Sequence, residues 1–297
     1  MTATLAAAGR WFLVITGELV VLFLAVTFLV GLITNFLPPE KVQSALGRKN
    51  AWVAAVLAAA FGALTPFCSC STIPILAGML GAGVPFGAAS AFLIASPLLN
   101  PVILTMMATI LGPATAAVYT TFVFPLSVLS GRLWERAGLA ADVKRVRIVR
   151  DEENGGASLR PTGPLAAALA FALSLFRQVL PYLLAGAAVG AFIYGFVPQE
   201  LVVRLAGPHN PLAIPVAAAL GVPMYIRAET IIPIGAVLAA KGMSMGAVVA
   251  LLIGGAGASI PELTLLGSLF RRRTVAAFAL TVFLVAVATG LAVEALG

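Results

Sequence analysis

The chain of 297 residues holds two cysteines, and they lie two positions apart in Thr65-Pro66-Phe67-Cys68-Ser69-Cys70-Ser71-Thr72-Ile73-Pro74. A pair of thiols among hydroxyls, bracketed by prolines, is the constellation here with the clearest chemistry. A thiolate attacks a sulfur electrophile or binds a soft ion such as As(III) or Cu(I). Pro66 limits backbone hydrogen bonding ahead of the motif, and Pro74 is expected at or near the start of the following half-helix. Free N–H groups and the positive dipole end at such a start favour thiolate over thiol. Cysteine is also a common small buried residue, but a pair in a polar break with none elsewhere argues for function. Cys-x-Cys is strained as an internal disulfide, and two thiols are too few for a closed zinc site. The single histidine, His209, falls in an expected outer loop. No metal and no cofactor are therefore expected.

A second polar centre follows from an internal match. At an offset of 159, Arg227 lies over Cys68 and Glu229 over Cys70. Charges deep in apolar sequence pair with each other, snorkel to an interface, or line a functional cavity. An Arg227–Glu229 pair and an Arg227 that binds an anionic group of a solute both fit the sequence. Two further breaks, Ser96-Pro97-Leu98-Leu99-Asn100-Pro101 and Gly254 to Glu262, also match approximately and offer Asn100, Ser259 and Glu262 as hydrogen-bonding groups. Most glycines there are read as helix-packing positions. Glu18 and Arg177 are weaker candidates. Gly81-Ala82-Gly83 lacks the Lys-Ser/Thr of a phosphate loop. The candidate solute-binding residues are Cys68, Ser69, Cys70, Ser71, Thr72, Asn100, Arg227 and Glu229.

The elements that must position these groups lie in a bilayer. Hydrophobic residues make up 61% of the chain and charged residues 10%, against about 25% charged in soluble domains. That excludes a soluble fold, disorder and a disulfide scaffold, and the long apolar runs exclude a transmembrane β-barrel. The expected class is an all-α polytopic membrane protein. The run from Trp11 to Phe36 exceeds the roughly 20 residues of a span and is read as a retained helix. From Ala51 to Ser130 the stretches between breaks look short for spans, so half-helices meeting at polar breaks are expected, satisfied by protein or a water-filled cavity.

The formal net charge of +7 is concentrated. Seven cations fall between Arg132 and Arg160, and Arg271, Arg272 and Arg273 are consecutive. Such clusters between apolar spans set topology and meet anionic lipid headgroups; nucleic acid is not an expected partner. At an offset of 160, six of 16 positions from Asn35 to Asn50 equal those from Gly195 to Asn210. At 159, Ile73-Pro74-Ile75 meets Ile232-Pro233-Ile234, Gly83 meets Gly242 and Gly87 meets Gly246. Equivalent loops differ in charge, which favours two inverted repeats with broken or re-entrant helices carrying polar, Pro-containing breaks. An odd number of crossings per half then makes one broken segment in each half a re-entrant hairpin, with both termini outside. The expected division is residues 1–131 and 165–297 as the two repeats and 132–164 as a charged cytoplasmic connector. Inverted repeats with broken helices are the signature of secondary transporters, with solute bound near the midplane.

The cysteine motif, together with Ile73-Pro74 and Ser96-Pro97-Leu98-Leu99-Asn100-Pro101, resembles the bacterial predicted-permease family that includes the YraQ-like proteins and the ArsP organoarsenical efflux permeases. The resemblance extends over nearly the whole chain. It implies a multi-pass permease of the bacterial inner (plasma) membrane, with Cys68 and Cys70, and less directly Asn100, central to transport. The arsenical branch expels trivalent organoarsenicals; other members are linked with sulfur metabolism. Two thiols cannot supply a three-thiolate arsenic site in one protomer, and Arg227 favours a sulfur-containing anion such as glutathione persulfide. The expected function is translocation of a small thiophilic or sulfur-containing solute, with organoarsenical efflux, a membrane thiol oxidoreductase and a scaffold subunit as alternatives. A transporter, not an enzyme, is the favoured reading. The expected partners are the solute and membrane lipids, with a cytoplasmic sulfur-handling protein or a homodimer partner also considered.

Overall fold

The computed structural model describes residues 50–65, 69–144, 212–222, 228–240 and 242–296, with scattered helical residues between 20 and 28 and between 165 and 181. The described regular structure is helical, apart from one isolated antiparallel bridge between Val143 and Phe270. Five helices come first: α1 (Ala51–Leu64), α2 (Ser69–Gly81), α3 (Phe86–Leu98), α4 (Pro101–Ile110) and α5 (Pro113–Arg136), followed by a 3-10 turn at Leu139–Asp142. Five more follow: α6 (Ala213–Gly221), α7 (Ala228–Ala240), α8 (Met245–Gly257), α9 (Ile260–Leu269) and α10 (Arg272–Leu296). Adding the sequence offset of 159 to the bounds of α2, α3 and α4 reproduces those of α7, α8 and α9.

The correspondence reaches individual contacts. Both α2 and α7 end in a Schellman-type cap on a glycine in the left-handed region, Gly83 (φ 77°) and Gly242 (φ 99°). Val84 N donates to Met79 O (3.0 Å), and its equivalent Met243 N donates to Leu238 O (3.0 Å). Gly62 of α1 abuts Phe92 O and Ser96 N of α3, and its equivalent Gly221 of α6 abuts Leu251 O and Gly255 N of α8. Gly131 of α5 crosses α3 at Gly87 O, as Gly290 of α10 crosses α8 at Gly246 O. At Gly131, Gly221 and Gly290 a Cβ would sit inside the neighbouring backbone, whereas at Gly62 it would be a tight contact only.

The two halves run in opposite directions. Trp134, near the C-terminal end of α5, packs edge-on against Phe278, near the N-terminal end of α10, with ring centroids 6.1 Å apart. Its Nε1 donates to Thr281 Oγ1 at 3.0 Å. Equivalent helices are therefore antiparallel, which places the pseudo-twofold axis across them and in the membrane plane. The ends of α3 and α8 meet on that axis, where Gly257 touches its own equivalent, Leu98. The expected inverted repeat is the architecture observed.

Among the described residues three helices are long and apolar enough to cross a membrane: Phe86–Ile110, Pro113–Arg136 and Arg272–Leu296. The pair Met245–Gly257 and Glu262–Leu269, bent by 43°, is the repeat equivalent of Phe86–Ile110 and counts as a fourth crossing when taken as one broken span. Their outward faces carry Leu129, Leu133, Leu280, Leu284 and Leu291, all more than 40% exposed. In water this shell would aggregate; in lipid it is solvated. The protein is a multi-pass helical membrane protein. The expected half-helices meeting at a Pro-containing break are present as α3 and α4, and together Phe86–Ile110 is long enough for one 25-residue span.

Arg132, Arg136, Lys144, Arg271, Arg272 and Arg273 gather at one side. Arg271 N donates to Asp142 O (3.0 Å) and Lys144 N to Leu269 O (2.8 Å), tying the start of the connector to the α9–α10 turn. Under the positive-inside rule this side would face the cytoplasm. Helix α5 continues to Arg136, so the first five residues of the stretch read as connector are its last helical turns.

Candidate solute site

Helix α1 starts on the basic side, where the Arg132 guanidinium lies 5.5 Å over the Trp52 ring. It ends beside Phe92 and Ser96, roughly halfway along the Phe86–Ile110 span. Helix α2 begins after four more residues and returns to the basic side, since α3 starts there five residues after its end. With 14 and 13 residues, α1 and α2 are each short of the roughly 20 needed to cross. They form a re-entrant hairpin from the basic side, with the end of α1 at Leu64 and the start of α2 at Ser69 both at mid-depth. The pair α6 and α7 enters from the opposite side: Ile214 packs on Gly290 near the far end of α10, and Gly221 reaches the middle of the α8–α9 span.

Each returning hairpin helix packs across the repeat boundary, α2 against α9 and α7 against α4. The second half of each broken span thus faces the other repeat's hairpin tip. At the break in the first span two backbone groups that lost their helical partners are satisfied by side chains. Asn100 Oδ1 accepts from Val102 N at 2.9 Å and caps α4. Tyr119 OH donates to Leu98 O at 2.7 Å, completing a carbonyl that lost its helical partner. Ser259 occupies the position of Asn100 in the second span and is buried, as is Glu262, in the first turn of α9.

Of the candidate residues, Thr72 (0% exposed) and Asn100 (5% exposed) are buried in the core. Ser69, Cys70 and Ser71 form the opening turn of α2, and Glu229 is the second residue of α7. Cys68 and Arg227 lie outside the described residues. The helix begins earlier than expected, since Pro74 sits inside α2 and not at its start. The opening amides of a helix need no intrahelical partner, so the turn forms ahead of the proline. Pro74 lacks the N–H that would bond the Cys70 carbonyl, and Pro233 in α7 does the same to the Glu229 carbonyl. Cys70 and Glu229 therefore share two backbone features at equivalent places: a helix N-terminus that favours negative charge, and a carbonyl released by proline. Among the described residues no cluster of His, Cys, Asp and Glu is suited to a metal ion.

Spacing alone missed Tyr119 and Trp134, whose partners lie 21 and 147 residues away.

Hairpins entering from both sides with tips at mid-depth are the construction of a transporter core, and the sequence comparison agrees. A profile described as "Predicted permease" matches residues 4–295. The chain belongs to the ArsP predicted-permease family. This permease is 25% identical to the UPF0718 protein YcgR of Bacillus subtilis over 89% of each chain. It is 23% identical to the UPF0718 protein MJ0584 of Methanocaldococcus jannaschii, over 71% of this chain and 73% of that one. No solved structure matches the permease. Family and fold together make it a membrane transporter.

Proposed function

We propose that the permease passes a small thiophilic or sulfur-containing solute, such as a thiol, a persulfide like glutathione persulfide, or another sulfur anion, by alternating access between residues 1–131 and 165–297. The segment 132–164 joins the two repeats on the cytoplasmic side. The observation that carries this reading is the start of α2 at mid-depth, whose opening turn holds Cys70; Cys68 precedes it by two residues in the sequence. At the second tip the repeat supplies Arg227 and Glu229. The helix start at Ser69 favours a thiolate at Cys70, and thiolates engage soft or sulfur electrophilic centres. Arg227 supplies a charge that orients an anion, and Glu229 holds it. Ser69, Ser71, Thr72 and Asn100 supply hydrogen bonds around the solute. In this reading the solute leaves chemically unchanged, which separates a permease from a thiol oxidoreductase.

The test is a solute panel in proteoliposomes: glutathione, glutathione persulfide, thiosulfate and a trivalent organoarsenical, each with wild type and Cys68→Ser/Cys70→Ser. Saturable flux of a sulfur solute that the double variant loses while remaining folded supports the proposal. Flux of the organoarsenical alone moves the assignment to arsenical efflux. Undiminished flux in the double variant removes the cysteines from the mechanism.

A further inference from the structure

On the cytoplasmic side, away from the hairpin tips, a groove of about 770 Å³ opens between α9 and α10. That volume lies in the usual range of small-molecule sites. Its composition is graded with depth. Lys144, Arg271 and Arg272 stand at the rim, and the wall toward the membrane interior is built by Leu263, Val275 and Ala279. At 1.5 Å per residue, Val275 to Ala279 lie about 4–10 Å inward from Arg272 along α10. Both arginines are exposed. The acidic neighbour Asp142 is buried and accepts from Thr274 Oγ1 at 3.2 Å. Lys144 Nζ donates to Gly267 O and so is anchored at the rim, and an ammonium has two further N–H donors.

We propose that this groove is a binding site for one anionic glycerophospholipid of the cytoplasmic leaflet, with its phosphate on Lys144, Arg271 and Arg272 and the start of an acyl chain on Leu263, Val275 and Ala279. Charge selects the occupant. A zwitterionic lipid brings its own cation to a rim already holding three, whereas an anionic headgroup meets only complementary charge. The cytoplasmic leaflet is also where anionic lipid is abundant. Depth selects a lipid over a soluble anion, because half of the groove is apolar wall at the level of acyl chains. The site spans Lys144, α9 and the first two turns of α10, and α9 is the helix that packs against α2. A bound lipid would therefore brace the element on which the first hairpin rests.

The experiment is native mass spectrometry of the full-length permease, exchanged into equimolar phosphatidylglycerol and phosphatidylcholine, with a parallel arm in excess inorganic phosphate. Wild type is expected to retain one phosphatidylglycerol in preference to phosphatidylcholine, and phosphate should not displace it. Each rim cation contributes roughly a fivefold preference, so Lys144→Gln/Arg271→Gln/Arg272→Gln should lower the preference on the order of a hundredfold. Should that variant fold poorly, Arg271→Gln/Arg272→Gln keeps the Lys144 anchor and should still lose roughly twentyfold or more. Ala279→Trp leaves every charge in place but fills the apolar half, and should also lose the lipid. Equal retention of the two lipids by wild type, displacement by phosphate, or full retention by Ala279→Trp would each overturn the proposal.

Discussion

The close crossing of α5 over α3 sets how much a single methyl group would cost at Gly131. A Cβ placed on Gly131 would lie 2.3 Å from Gly87 O and 2.8 Å from Ala91 N, whereas ordinary contact begins near 3.4 Å. The helices must therefore part by about 1 Å to admit Gly131→Ala, and the obstacle is backbone, which cannot rotate aside. Overpacking of this kind costs about 1–3 kcal/mol, partly offset by up to about 1 kcal/mol of better helix propensity. A net loss of about 2 kcal/mol lowers the midpoint of thermal unfolding by roughly 4–8 °C. Gly62 is the internal control, because its nearest contacts are 3.1–3.2 Å away and the required shift is a few tenths of an ångström. Gly62→Ala should change the midpoint by no more than about 2 °C. The repeat adds a second constraint: Gly290→Ala, with Gly246 O at 2.7 Å and the Ile214 side chain at 2.8 Å, should cost nearly as much as Gly131→Ala. Thermal unfolding of the purified protein in detergent reads all three. A Gly131→Ala variant as stable as wild type, or a Gly62→Ala variant that loses as much, would refute the close-crossing argument.

Two other substitutions probe the break in the first span. Tyr119→Phe removes the 2.7 Å bond to Leu98 O without changing ring volume, and Phe278 already fills the equivalent position. It should cost about 0.6–1.7 kcal/mol in detergent unfolding, and no measurable loss would mean that the carbonyl finds another donor. Asn100→Ala removes the cap on Val102 N and should cost about 1 kcal/mol along with solute flux. Asn100→Ser, the residue type found at Ser259, should recover stability but not flux; recovery of both would reduce Asn100 to a cap.

Class and duplication were legible because they rest on composition and on residues that stand out from an apolar background. The matches at Pro74 and Pro233, Gly83 and Gly242, and Gly87 and Gly246 expose the offset that the helix bounds then follow. The glycine pairs at 62 and 221 and at 131 and 290 obey the same offset, but their role needs knowledge of which helices cross. Inversion was readable only through a few loop charges; the contact of Trp134 with Phe278 and Thr281 decides it. The break near Asn100 reads as the meeting of two half-helices because Pro97 and Pro101 remove backbone donors. What keeps the span continuous is a side-chain cap together with a hydroxyl from the next helix, and sequence spacing carries no trace of that partnership. Pro74 was placed one turn too early in its helix because prolines favour helix starts, whereas here the opening turn forms ahead of it. The candidate site is legible as residue types at two sequence positions that the repeat makes equivalent, and the roles proposed for Cys68 and Arg227 rest on chemistry and the repeat.

The central claim is that the α1–α2 hairpin carries its thiols to a mid-depth position that opens alternately to either side. Because Cys68 and Cys70 are the chain's two cysteines, a membrane-impermeant cationic thiol reagent reports their exposure with no background. The measurement is the extent of labelling of full-length permease in sealed vesicles, with reagent outside or trapped inside, with and without the sulfur solute that shows flux. The account predicts labelling from each side and protection by solute against both. Labelling confined to one face, or unaffected by a transported solute, would contradict it.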